Sequence, residues 1–172
     1  PTPYIEFLVG PDKIRRIYIL DSGADESIIS YTEAKRVLGD TLKIEKGRGR
    51  MYMEGVTGQP EEAMGTVKIK TFITYMEDGK EKERSADLNF WVFQDEEMPT
   101  LLGMPATKSL GLFIGSPLEG DPVCLIEVDG KYLKKPISKP PANTKHYARR
   151  FQSLSMETYL PLTILRDVTL TA

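Results

Sequence analysis

Two runs rich in β-branched and aromatic residues, 4–9 (Tyr-Ile-Glu-Phe-Leu-Val) and 14–20 (Ile-Arg-Arg-Ile-Tyr-Ile-Leu), flank four turn-forming residues, Gly10-Pro11-Asp12-Lys13. Such runs pair as a hairpin. The second run passes without a break into Asp21-Ser22-Gly23-Ala24-Asp25-Glu26-Ser27, whose Gly, Ser and Asp content signals a tight loop before Ile28-Ile29. An apolar strand that empties into a short polar loop fixes that loop rigidly and presents its first side chain, Asp21, for chemistry.

The rest of the chain repeats this rhythm of short strands and turns. Residues 31–38, with Thr32 as N-cap and Gly39 just past the end, predict a two-turn helix. Strand-like runs over 42–54 and 63–76 bracket Gly55-Val56-Thr57-Gly58-Gln59-Pro60, where paired glycines permit a mobile hairpin tip. A further hairpin joins 67–73 to 86–93 through the charged turn Glu77-Asp78-Gly79-Lys80. Leu101-Leu102-Gly103-Met104-Pro105 leads to a short helix over 105–110 ending at Gly111, then a strand at Leu112-Phe113-Ile114. Beyond Gly115 the pattern loosens, and the sequence places a domain edge near 116. One more hairpin, 123–133, turns on Asp129-Gly130, and the Lys/Pro-rich stretch 134–145 opens the tail. Twelve prolines and fourteen glycines spread along 172 residues suit this pattern, so the expected class is all-β, with residues 1–116 as the main domain and 117–172 as an extension.

Bulk properties exclude several functions. A net charge of −2, from 23 basic and 25 acidic residues, gives no pull toward nucleic acid or anionic lipid. The lone Cys124 forms no internal disulfide, and no Cys/His cluster has metal-ligand spacing, so a reducing compartment and no metal or cofactor are expected. No run approaches 18 apolar residues, and Pro1-Thr2-Pro3-Tyr4 lacks the pattern of a signal peptide, so no membrane association is expected.

The chemical centre is Asp21-Ser22-Gly23-Ala24. Gly23 lets backbone approach backbone, while the Ser22 hydroxyl is placed to hydrogen-bond across a symmetric partner loop. Two copies of Asp21 would then face each other. At about 3 Å, like charges cost on the order of 5 kcal/mol even at an effective dielectric near 20, so one proton is shared between them. One carboxylate then acts as general base on a water molecule and the other as general acid toward a peptide carbonyl.

These residues resemble the retroviral-type aspartic proteases, the retropepsins. That family's signature is an apolar strand, Asp-Ser/Thr-Gly-Ala, a flap hairpin, and later two apolar residues and Gly before a helix. Leu101-Leu102-Gly103 supplies the second element about eighty residues after the first, and the resemblance covers roughly 4–115. It implies a closed β-barrel of the acid-protease half type, with Asp21 catalytic and Ser22, Gly23 and Ala24 forming the active-site loop. It also implies that Asp25, Gly55, Val56, Thr57 and Gly58 bind substrate, the last four as the flap tip. The chain holds a single Asp-Ser/Thr-Gly triplet, so the resemblance implies a homodimer that processes its parent polyprotein in the cytoplasm or inside virus-like particles. Two departures stand out. Met104-Pro105 replaces the Arg-Asp or Arg-Asn pair of many members, which leaves Arg15 or Arg16 as the expected partner of Asp25. Little chain precedes Tyr4 to interleave at a dimer base, so residues 112–133 are expected to supply that interface. Pro1 and Tyr159-Leu160-Pro161-Leu162 resemble sites that such proteases cut, which predicts cleavage at Leu160-Pro161 or Tyr159-Leu160.

Plainer readings compete. Asp-Ser-Gly alone is ordinary turn chemistry, and Asp25 and Ser27 serve equally well as loop braces. Cys124 and Trp91 read as core packing and His146 as a solvated tail residue. A domesticated cellular protease and a noncatalytic dimerisation or peptide-binding module are the two rival functions.

Overall fold

The structure is a computed structural model that describes residues 3–54, 59–115 and 118–141. The first hairpin is formed by β1 (Tyr4–Val9) and β2 (Ile14–Leu20), paired from Tyr4 opposite Ile19 to Val9 opposite Ile14. Alternation along β1 sends Ile5, Phe7 and Val9 inward. After the Asp21 loop come β3 (Ile28–Ser30) and α1 (Tyr31–Leu38). The helix spans the expected residues, but its cap lies two residues earlier than the sequence suggests. Ser30, still extended, accepts the Glu33 N–H on its side chain, whereas Thr32 already lies inside the helix.

Residues 42–51 do not form the strand their sequence suggests. Lys46-Gly47-Arg48-Gly49-Arg50 offers no alternating apolar face, and the segment is tied to its neighbours by a bridge between Glu45 and Thr66 and by an Arg50–Glu62 fork. Pairing resumes in β4 (Tyr52–Glu54) and β5 (Pro60–Glu62), the base of a hairpin whose tip lies outside the described residues. The longest ribbon joins β6 (Gly65–Glu77) to β7 (Lys80–Phe93). Its Asp78-Gly79 turn has positive φ at both positions, the conformation that favours a two-residue hairpin.

The short β8 (Leu101–Leu102) leads into α2 (Met104–Leu110), which stops at left-handed Gly111. Strands β1-β2-β8-β3-β7-β6 close into a barrel, confirming the all-β class and the closed barrel. Two residues of β8 settle the connectivity. They lie parallel to β2 (Ile19 opposite Leu101) and antiparallel to β3 (Ile28 opposite Leu101), so the loop 21–27 straddles β8.

A second sheet follows, ordered β11-β10-β9, from β9 (Leu112–Gly115), β10 (Val123–Val128) and β11 (Lys131–Lys135). It carries pairing across position 116: Cys124 lies opposite Ile114 and Ile126 opposite Leu112. Cys124, Ile126 and Val128 join the buried cluster of Phe7, Phe90, Leu102 and Leu110. A cut at 116 therefore divides a sheet that shares the barrel's core. Among the described residues no helix is long and apolar enough to cross a membrane.

Candidate active site

Backbone N–H groups hold the Asp21 loop in place. The Asp21 N–H donates to the Leu102 carbonyl at 2.8 Å and the Met104 N–H to the Ala24 carbonyl at 2.7 Å. The Gly103 N–H donates to Ser27 Oγ at 2.9 Å, so the buried Ser27 braces the loop. These three bonds reach consecutive residues, Leu102 to Met104, and clamp the loop onto the strand it straddles. Glycine is required at 103 because an added Cβ would lie 2.4 Å from the Glu26 carbonyl oxygen and 2.7 Å from that of Ala24. Both are backbone atoms and have little freedom to retreat.

Within the loop, the Gly23 N–H donates to Asp21 Oδ1 at 2.9 Å and the Ala24 N–H to the Asp21 carbonyl at 3.1 Å. The first bond orients the carboxylate, since one oxygen is held by the loop's own backbone. A Cβ on Gly23 would come within 3.3 Å of that oxygen. Asp21 is half-buried, Ser22 and Gly23 are exposed, and Ala24 is buried with Ile28, Trp91 and Leu101. The exposed edge of the loop is thus its Ser22-Gly23 corner, with Asp21 beside it. Among the described residues no group of three or more His, Cys, Asp or Glu could hold a metal ion.

Asp25 lines a cavity of about 320 Å³ beside the loop, together with Arg48, Asp87, Asn89 and Pro105. The arginines expected to serve it are engaged elsewhere. Arg15 pairs with Glu6, and Arg16 forms a two-bond fork with Glu33 at 2.7 and 2.8 Å. Glu33 also accepts from Tyr18 Oη and Arg36 Nη1, tying α1 to β2. Burial, reinforced by the neighbouring Glu33 carboxylate, pushes the Tyr18 hydroxyl well above its ordinary pKa. The Glu33 bond in turn raises that of Arg16. Sequence spacing gave no sign of this network because its members come from β2 and α1.

No family model and no curated protein matches the chain by sequence. In three dimensions it is similar to the retroviral protease-like domain of Ddi1 from Leishmania major, with a TM-score of 0.50 at 18% identity over 83% of this chain and 96% of that one. The fold is retropepsin-like. It also matches an EIAV protease complexed with the inhibitor HBY-793, with a TM-score of 0.38 at 21% identity over 64% of this chain and 89% of that one. In this retropepsin-like frame Asp21, Ser22, Gly23, Ala24 and Asp25 come together on one loop. Gly55, Val56, Thr57 and Gly58 lie outside the described residues, as do Tyr159, Leu160 and Pro161.

What can be followed is the root of the hairpin. Met51 and Met53 are buried against Ala24, Trp91 and Met98, so the β4 side rests on the same apolar cluster as the Asp21 loop. On the β5 side, Glu61 Oε2 accepts the Gln94 N–H at 2.7 Å and the Asp95 N–H at 3.3 Å. Sequence reasoning missed Glu61, since a surface glutamate carries no mark of a partner 33 residues away.

Proposed function

We propose that this chain is an aspartic endopeptidase that acts as a homodimer on extended peptide segments of its parent polyprotein, in the cytoplasm or within particles assembled there. The observation that carries this reading is the half-buried Asp21 carboxylate, oriented by the Gly23 N–H on a loop clamped to Leu102–Met104 in a retropepsin-like barrel. One such loop supplies one carboxylate, and acid–base cleavage of an amide needs two. The second comes from another copy, and the two Asp21 side chains titrate as one coupled pair.

In the reaction, the ionised Asp21 takes a proton from water while the water oxygen bonds to the scissile carbonyl carbon. The protonated Asp21 gives its proton to the carbonyl oxygen. The tetrahedral diol then collapses: the carbon–nitrogen bond breaks, the nitrogen leaves with a proton from the carboxyl that received one, and a diol hydroxyl returns its proton to the other carboxylate. The β4–β5 hairpin covers the substrate, which binds as an added strand, and Asp25 holds its backbone.

The test is peptide cleavage at mildly acidic pH over a range of protein concentrations. Concentration-dependent cleavage, blocked by a statine-type inhibitor and lost in Asp21→Asn, is expected. An inactive wild-type chain that is demonstrably a folded dimer would overturn the catalytic reading.

A further inference from the structure

The charge of −2 carried by the whole chain hides a local excess of the opposite sign. Residues 43–50, Lys-Ile-Glu-Lys-Gly-Arg-Gly-Arg, hold four cations against one carboxylate. The segment is anchored at both ends. Glu45 and Thr66 exchange N–H···O bonds of 2.8 Å in both directions, and a Cβ on Gly65 would lie 2.4 Å from the Glu45 carbonyl oxygen, so the two backbones pack closely there. At the other end Met51 is fully buried and its carbonyl accepts the Ala63 N–H at 2.7 Å. Between these anchors all five residues of 46–50 are exposed. Two glycines and three cations bury no apolar surface, so the core gains nothing from this sequence. Glu62 engages Arg50 in a two-bond fork of 2.8 and 3.2 Å, whereas Lys43 and Lys46 form no ion pair among the described residues. In the antiparallel register of the Glu45–Thr66 bridge, position 43 faces position 68, and the exposed Lys68 and Lys70 of β6 prolong the row of cations.

We propose that this row of cations is a binding surface for single-stranded nucleic acid, whose phosphates it follows. The inference does not depend on the proposed function, and the chemistry of the row selects the partner. Lys43 to Arg50 spans at most about 24 Å with a cation every two or three residues, so each can meet a separate phosphate of a flexible strand. Arg50 lies 5.5 Å from the centre of the Tyr52 ring, which sets a guanidinium and an aromatic ring beside the row. Unpaired bases stack on both. A duplex keeps its bases inside and is read by a helix or β-ribbon that enters its groove, and 46–50 forms neither. An anionic membrane calls for apolar side chains beside the cations; 46–50 has none, and Met51 is buried.

The experiment measures fluorescence anisotropy of a labelled single-stranded RNA of about 20 nucleotides across salt concentration, with the corresponding RNA duplex and phosphatidylserine-containing vesicles as parallel arms. Three proteins are compared: the wild type, Lys43→Ala/Lys46→Ala, and Lys131→Ala/Lys134→Ala, which removes the same charge from exposed positions of β11. Arg48 is left intact because it lines the cavity that holds Asp25, and Arg50 because of its fork with Glu62. The wild type is expected to bind the single strand with a dissociation constant on the order of 10 μM at about 50 mM salt, log K falling against log salt with a slope of about −2 to −3. Lys43→Ala/Lys46→Ala should bind at least about tenfold more weakly, with a slope shallower by about 1.4, and Lys131→Ala/Lys134→Ala should match the wild type. Equal urea midpoints for the three proteins show that the fold is kept. Should the double variant not fold, Lys46→Ala alone carries the test with a slope change of about 0.7.

A wild type that does not bind the single strand at low salt would overturn the proposal. So would an equal loss of binding in both double variants, because net charge and not this row would then be responsible. Duplex bound as tightly as single strand, or vesicles bound while the single strand is not, would overturn the assignment of the partner.

Discussion

The chain buries two apolar clusters of different character. The larger fills the barrel and the underside of the second sheet with Ile, Val, Leu and Phe, and its buried members among the described residues include no methionine. The smaller lies beneath the Asp21 loop and the hairpin root, and places Met51, Met53 and Met98 with Ala24, Ile28, Trp91 and Leu101. Branched and aromatic side chains with few rotamers lock a core into one packing, while unbranched thioethers adapt to neighbours that move. The larger cluster therefore holds the fold. The smaller holds a loop, a hairpin root and the 98–101 segment in register while allowing their surface to adjust.

If this division is right, damage to the larger cluster should register mainly as lost stability and damage around the smaller one mainly as lost activity. The largest effect is expected from Phe90→Ala. Removing a fully buried ring from the barrel should cost about 3–5 kcal/mol, seen as a large drop in the urea midpoint. A cost below about 1 kcal/mol would mean that the barrel is not the close-packed partner.

Next comes a pH effect in the same cluster. Burial raises the Cys124 thiol from an ordinary 9.0 to about 11. A raised folded-state value means that the unfolded chain ionises first. Stability is thus complete below about pH 9 and declines as pH rises toward 11, by about 3 kcal/mol at most. Cys124→Ala should lack this part of the alkaline decline when its thermal unfolding is compared with the wild type across that window. Equal declines would show that water reaches the barrel cluster.

Gly103→Ala tests the other region. The new methyl meets two backbone carbonyls, so the Asp21 loop must shift, at an expected cost of about 1–3 kcal/mol. Activity should suffer far more, by about 100-fold in kcat/KM, because the carboxylate leaves its position. The smallest effect on stability, about 1 kcal/mol, is expected for Glu61→Ala, which releases the Gln94 and Asp95 N–H groups from the hairpin root. Its signature is a raised KM for peptide, measured by initial rates. An unchanged KM would separate Glu61 from substrate capture.

The parts of this fold that were legible in advance are those whose cause is local. The hairpins over 67–93 and 123–133 were readable because Asp78-Gly79 and Asp129-Gly130 take up positive φ in two-residue turns, a property of those residue types. Gly111 ended α2 for the same reason. The Asp21 loop was readable as a motif. Its bracing was not, because Ser27 and Gly103 are bonded across 76 positions of sequence. The cap of α1 is Ser30 and not the expected Thr32: both are hydroxyl residues, and only the extended backbone at Ser30 makes it the cap. Charge identifies Arg15 and Arg16 as possible partners of Asp25, while the packing of α1 against β2 delivers Arg16 to Glu33.

By itself, then, the sequence determined the all-β class, the order of hairpins and turns, and the single Asp-Ser-Gly-Ala loop, since these follow from side-chain periodicity and from backbone preferences of neighbouring residues. Only the tertiary structure decided that two residues of β8 pass between β2 and β3, that the second sheet shares the barrel's core, and that Phe113 and Tyr132 meet on its outer face. Those outcomes depend on which distant strands pair and in what register, and a one-residue slip would turn each side chain to the opposite face.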